Sequence, residues 1–192
     1  MVPATRRRMT LEEYLTYDDG TDARYELVNG ELVEMPSESD VNNAIAILLI
    51  LAFARYVPGH WLRRGTEIVV SGSRAIARVP DVMVLTEESA AALEGAPRSI
   101  ILLDMPSPQL VVEVVSPGSD NEKRDYRHKR SEYAARKIPE YWIVDPEQKQ
   151  VTLLTLVEGL YEEAVFTGTN RLLSLTFPTL QLTTEQVLSG KI

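Results

Sequence analysis

The sequence predicts an α/β (α+β) fold: a mixed β-sheet flanked by helices, with a β-hairpin near the N-terminus. Three observations carry this. Asn29-Gly30 stands between two alternating runs, Arg24–Val28 and Glu31–Met35, the strongest short-range signal for a hairpin. Gln109–Ser116 is a nearly unbroken β-branched run stopped by Pro117-Gly118, as suits a strand covered on both faces. Helical patterns lie on both sides of such strands along the chain, which calls for helical layers on a sheet.

The elements follow in order. Thr10 and Glu13 form a capping box that opens a short helix running to about Tyr17. The hairpin comes next. Ser39 or Asp40 caps a helix that ends near Pro58-Gly59; its apolar run, Ala44–Ala54, is eleven residues long. Because that run is apolar all round, it reads as a buried helix. It falls short of the roughly 20 residues a membrane span needs. Trp61–Val70 and Val79–Leu85 read as strands joined by a Gly/Ser turn, and Glu87–Glu94 as a short helix. After the apolar strand, Asn121–Lys137 is helical in pattern, and Glu140–Asp145 is a strand closed by Pro146. Val151–Val157 and Tyr161–Phe166, around Gly159, form a second hairpin. Leu172–Leu188 is a strand or loop and then a short helix.

Length and composition narrow the functions open to the chain. At 192 residues, one domain over residues 1–192 is expected, with residues 1–9 flexible. There are no cysteines and only two histidines, His60 and His128. That removes disulfide scaffolds, thiol nucleophiles and cysteine-based metal sites. A net charge of -8 argues against a protein that coats nucleic acid electrostatically. No targeting or membrane segment is legible, so the expected location is the cytoplasm. No P-loop, nucleophile elbow or zinc-binding His-Glu-x-x-His helix occurs. At 7% of the chain, the aromatics do not interleave with basic residues as a single-strand stacking platform would require.

The informative residues are acids in apolar company. On Gln109–Ser116, side chains alternate, so Val111, Glu113 and Val115 share one face. Glu113 is thus a carboxylate inside a hydrophobic strand, and it needs a metal, a cationic partner or a raised pKa. Asp81 repeats the anomaly between Pro80 and Val82-Met83-Val84-Leu85. If the two strands are neighbours, both acids converge at one end of the sheet. Two carboxylates of this kind suit Mg²⁺, which completes its shell with water and substrate phosphate. The plainer alternative for each acid is an ion pair with an arginine or a bond to a backbone N–H.

The next helix supplies cations. Asn121–Lys137 carries seven Lys/Arg against three acids, a local balance of +4. Tyr126 and Tyr133 mark the face that docks on the sheet, and Lys129 lies between them on it, with Lys123 one turn earlier. A lysine beside two acids could orient a water or steady a developing negative charge. The plainer alternative is an Asp125–Lys129 pair along the helix, worth about 0.3–0.5 kcal/mol.

These residues carry a resemblance. Pro80-Asp81, Leu110-Val111-Val112-Glu113-Val114-Val115-Ser116-Pro117, Asp125-x-x-x-Lys129-x-x-x-Tyr133 and Pro139-Glu140-Tyr141-Trp142-Ile143-Val144-Asp145-Pro146, in this order, resemble the Uma2 family. That family belongs to the PD-(D/E)xK restriction-endonuclease-like superfamily. Tyr25–Leu32 resembles its N-terminal signature. The resemblance implies a restriction-endonuclease-like core and hydrolysis of DNA phosphodiester bonds with Mg²⁺ or Mn²⁺. Asp81 and Glu113 would be the metal ligands and Lys129 the catalytic lysine. The superfamily's usual lysine position, two residues after the second acid, is Val115 here, and Lys129 matches the position on the following helix. Glu26 matches an extra N-terminal acid; its plainer alternative is an exposed strand residue. Asn42 stands where relatives often carry a histidine, and it cannot trade protons near neutral pH. Lys123 and Asp125 are further accessory candidates.

Three readings follow: a metal-dependent endonuclease, a catalytically silent oligomeric module retaining the same fold, and a hydrolase of small phosphodiesters. Hairpin edges that pair between subunits would give a homodimer or higher homo-oligomer.

Overall fold

The computed structural model describes residues 8–191 apart from 22, 36, 72, 75 and 117–123; Arg124 and Asp125 are described in their backbone only. The described elements are α1 (Leu11–Leu15), β1 (Tyr25–Val28), β2 (Glu31–Glu34), α2 (Asp40–Phe53), a 3-10 turn (Gly59–Trp61), β3 (Leu62–Arg63), β4 (Glu67–Ser71), β5 (Ile76–Arg78), β6 (Val82–Val84), α3 (Glu87–Ala92), β7 (Ile100–Ile101), β8 (Leu110–Val114), a π-helical turn (Arg124–Lys129) running into α4 (Arg130–Ala135), β9 (Glu140–Asp145), β10 (Gln150–Val157), β11 (Leu160–Thr167) and α5 (Thr184–Ser189). The fold is mixed α+β, with helices flanking two mixed sheets of order β2-β1-β5-β4-β7 and β11-β10-β9-β8-β6-β3.

Local chemistry explains the boundaries. The Thr10–Glu13 capping box is formed in both directions. Asn29 and Gly30 both sit at positive φ, 51° and 81°, the backbone a tight two-residue hairpin demands. Of residues 1–9, expected to be flexible, 1–7 lie outside the described residues, and the Met9 N–H donates to the Gly30 carbonyl at 2.8 Å.

The larger sheet carries core on both faces. Val82, Val84, Leu110, Val112, Val114, Trp142 and Val144 pack with α2 and α5 on one side. Met83, Val111, Val115, Tyr141 and Ile143 meet Ile68, Val70 and Ile76 of the smaller sheet, and Tyr133 of α4, on the other. Leu27, Val69 and Ala77 cover the outer face of the smaller sheet beneath Tyr14 of α1. A space between the two sheets, closed by α4, is therefore where Glu26, Arg78 and Glu113 point, by alternation from Leu27, Ala77 and Val112.

Four expectations are corrected. The strands form two mixed sheets, because the first predicted central strand changes partners midway. Trp61–Val70 breaks at Gly65, which takes φ +75°; β3 joins the larger sheet and β4 the smaller. The strand expected over Val79–Leu85 is only β6; β5 lies before it, where a turn was expected, and Pro80, which has no N–H to continue a ladder, falls between the two. α2 ends at Phe53 instead of near Pro58, and turns follow through Val57. Nor is that helix buried all round: Val41, Ile47 and Leu51 are 51%, 45% and 57% exposed.

Glu140, inside the quoted Glu-Tyr-Trp block, has a structural use. It accepts hydrogen bonds from the Trp142 indole, the Ser174 hydroxyl and the Thr176 amide at 2.7, 3.1 and 2.6 Å. These pin the C-terminal segment against β9.

Candidate active site

Strand pairing brings the two anomalous acids together. β6 and β8 are antiparallel neighbours with Val82 opposite Val112, so Asp81 stands one step beyond, across from Glu113. The Val114 amide donates to Asp81 Oδ2 at 2.6 Å, which ties the first acid to the strand of the second. Asp81 is half-buried and Glu113 is buried.

The helix delivers the cation. Lys129 is buried, with Nζ 2.8 Å from Glu113 Oε2 and 3.7 Å from Glu26 Oε1. It is the last residue of the π-helical turn, a wider winding often found at functional sites. One turn on, the Tyr133 hydroxyl donates to Glu113 Oε1 at 2.5 Å. Full burial and the Glu113 charge hold the Tyr133 phenol well above its ordinary pKa.

Glu26 is not an exposed strand acid. It is buried in the same cluster, where its carboxylate accepts from Arg78 Nη1 at 2.9 Å and from the Val79 amide at 3.3 Å. Arg78 also forks onto Glu132, Nε and Nη2 donating to Oε2 and Oε1 at 2.8 and 3.0 Å. Its pKa is held even above the usual arginine range by these carboxylates, despite burial. Arg78 and Glu132 were not among the expected site residues. An arginine alternating with Ile76, Ala77 and Val79 was the available signal, masked by a strand boundary placed after it.

Asn42 enters from the other layer. Its Nδ2 donates to the Val114 carbonyl at 3.3 Å and to Ser116 Oγ at 3.4 Å, so it caps the end of the Glu113 strand. A cleft is lined by Glu26, Asn42, Asp81, Glu113, Ser116 and Lys129, with Arg24, Glu34, Ser37 and Glu38 also along its wall. Five expected residues thus border one space. Lys123 lies outside the described residues, as does the side chain of Asp125.

Two of the cations described on this helix, Arg130 and Arg136, are spent on structure. Arg130 pairs with Glu163 and donates to the Tyr161 carbonyl. Arg136 donates to the carbonyls of Leu102, Leu103 and Met105. Arg127 and Lys137 are exposed.

Among the described residues, no three histidine, aspartate or glutamate side chains converge on one metal position. What converges is a pair, Asp81 and Glu113. The cleft lining carries carboxylates in excess: Glu26, Glu34, Glu38, Asp81 and Glu113 against Arg24 and Lys129. Hard oxygen donors in excess over cations fit a divalent ion that takes few protein ligands and keeps waters.

A family model described as a putative restriction endonuclease matches residues 11–185. The fold is similar to the crystal structure of a putative nuclease belonging to DUF820 from Anabaena variabilis ATCC 29413, with a TM-score of 0.71 and 18% sequence identity, covering 95% of this chain and 98% of that one. Comparison with curated proteins gave no match. No helix among the described residues is long and apolar enough to cross a membrane.

Proposed function

Since the chain belongs to the Uma2 family, described as putative restriction endonucleases, we propose that it is a metal-dependent endonuclease that hydrolyses phosphodiester bonds of DNA. One observation carries this reading: Asp81 and Glu113 face each other across paired strands in a cleft, with the Lys129 ammonium 2.8 Å from Glu113.

Asp81 and Glu113 would hold Mg²⁺ or Mn²⁺. Such an ion supplies positive charge to the phosphoryl oxygens and makes a water more acidic. The Val114 N–H donates to Asp81 Oδ2 and the Tyr133 O–H to Glu113 Oε1, which holds the two carboxylates in place. Lys129, positioned by Glu113 and Glu26, donates toward the attacking water and toward the charge that develops on phosphate. Arg78 positions Glu26 and, through Glu132, the helix that carries Lys129. The bulk charge of -8 limits the nucleic-acid contact to a small area near the cleft. The outer strands of both hairpins, β2 and β11, form sheet edges, which suit pairing between two copies in a homodimer.

The test is plasmid nicking in Mg²⁺ or Mn²⁺ by wild type, Asp81→Ala and Lys129→Ala. Loss of nicking in both variants is expected; equal nicking by all three overturns the assignment. A second reading, a silent module that keeps the fold, is favoured by the mutual satisfaction of Lys129 and Glu113. Calorimetric titration with Mn²⁺ separates the two. Heat that disappears in Glu113→Ala supports the enzyme, and no heat with an unchanged melting temperature supports the silent module.

A further inference from the structure

A second cavity, of about 180 Å³, adjoins the carboxylate cleft, and Arg24 and Val79 border both. It lies where α1, the loop after it, the start of β1 and Gly65 meet. Its walls bring together residues far apart in sequence. Tyr17 and Tyr25 meet edge to face at 5.9 Å, and Tyr17 is 38% exposed. Tyr14 lies deeper, its ring covered by the Arg98 guanidinium at 4.6 Å. Arg24 is exposed and rests against Gly65, where a Cβ would come within 3.0 Å of its Nη1. The aromatics that do not interleave with basic residues along the chain therefore do so in space.

Of the three acids lining this cavity, Glu67 has a cationic partner, while Asp18 and Asp19 take hydrogen bonds from neutral donors, Asp18 from the Gly20 amide at 2.8 Å. Glu67 receives Arg98 at 2.8 and 2.9 Å and the Tyr14 hydroxyl at 2.6 Å. Asp19 accepts from the Tyr25 hydroxyl at 2.8 Å and from Thr21. They leave a polar, hydrogen-bonding wall poorly suited to a phosphate and well suited to ring amino and imino groups. The volume is below the roughly 300–1,000 Å³ typical of sites for drug-sized ligands, which matches one ring system and not a whole nucleotide. A π-face, an arginine plane and a polar wall are what an unpaired base needs.

We infer that this cavity holds an unpaired nucleobase of the strand whose phosphate enters the adjoining cleft, stacked on Tyr17, with Arg24 bridging the two. The inference rests on the nuclease reading and narrows its substrate to a strand with a base out of the duplex stack. Reading a base requires removing it from its partner, whether the strand is single or the base is flipped.

The test uses the full chain in EDTA, so that binding is separated from cleavage. Fluorescence anisotropy compares a labelled single-stranded 12-mer oligodeoxynucleotide with an all-abasic 12-mer, which keeps the phosphates and loses the bases. Wild type is expected to prefer the base-bearing strand, and Tyr17→Ala to weaken that strand's binding by about 5- to 150-fold while leaving the abasic strand unchanged. Arg24→Ala is expected to weaken both. Tyr17 is exposed, so its replacement leaves the core intact, and a circular dichroism melt verifies this. Equal affinity of wild type for both strands, or of Tyr17→Ala and wild type for the base-bearing strand, overturns the inference. If that occurs while Asp81→Ala still abolishes plasmid nicking, the base cavity fails and the nuclease reading stands. If wild type neither nicks nor binds either strand, both fail.

Discussion

Lys129 Nζ lies 2.8 Å from Glu113 Oε2, and neither side chain is more than 4% exposed. A buried pair of this kind gains little net stability over an apolar substitute, yet removing one member strands the other in a low-dielectric interior. Lys129→Met is therefore expected to lower the unfolding free energy by about 3–5 kcal/mol, measured by urea denaturation. The double variant Lys129→Met/Glu113→Gln removes both charges and is expected to regain much of that loss. Equal losses in the single and double variants would show that the pair is not energetically coupled.

Arg78 joins two carboxylates, Glu26 and Glu132, from a fully buried position. Its planar fork matches Glu132 at two points while its remaining nitrogen serves Glu26. A lysine keeps the charge but offers no fork. Arg78→Lys is expected to destabilise by at least 2 kcal/mol, about the worth of a charged hydrogen bond, and Arg78→Met by about 3–5 kcal/mol. Urea midpoints check both, and a silent Arg78→Lys would mean that charge alone matters here.

The contrast between Lys129 and Arg78 measures how far the sequence is readable. Glu113, Asp81 and Lys129 were legible because each breaks a pattern: an acid in a β-branched run, an acid after Pro80, a lysine on an aromatic helix face. The Asn29-Gly30 hairpin and the Thr10 capping box were legible because their chemistry is local. Arg78 and Glu132 were not. Their meaning depends on β5 pairing with β1 and β4 in a second sheet, and a three-residue strand ending at Arg78, two residues before Pro80, has too little periodicity to announce itself. The exposed side of α2 was misread for a related reason: an all-apolar run cannot say which of its faces another layer covers.

Alkaline stability follows from the buried tyrosines. Tyr133, Tyr14 and Tyr161 all have phenols pushed above the ordinary value of 10.0, chiefly by burial. Below pH 10, folded and unfolded chains both keep these protons, so the contribution is flat. Above pH 10 the unfolded chain releases protons that the folded chain retains, and stability falls as pH rises toward the folded values. Urea midpoints at pH 8, 10.5 and 11.5 are expected to drop across that range, with tyrosinate absorbance rising together with unfolding. Tyr133→Phe should cost about 1.5–3 kcal/mol at pH 8, the worth of its bond to a charged acceptor, and less at pH 11.5. An equal cost at both pH values would remove Tyr133 from the effect.

Asn42 offers the sharpest test of whether the cleft is tuned for proton transfer. Its amide donates to the Val114 carbonyl and the Ser116 hydroxyl from a position 4% exposed, at the strand end where Asp81 and Glu113 meet. An asparagine can hold that strand end but cannot take or give a proton near neutrality. A histidine can do both, with an unperturbed pKa of about 6.5. Asn42→His is expected to keep the fold, since one ring N–H replaces the amide donor toward Val114. In the nuclease reading it should also add a pH dependence of nicking centred near pH 6.5 that wild type lacks. Asn42→Ala removes the donor altogether and is expected to destabilise by about 1–3 kcal/mol. Nicking rates from pH 5.5 to 8.5, measured beside urea midpoints, separate the two roles. A flat profile for Asn42→His, with stability lost only in Asn42→Ala, would make residue 42 a strand-end clamp and place proton handling at Lys129 alone.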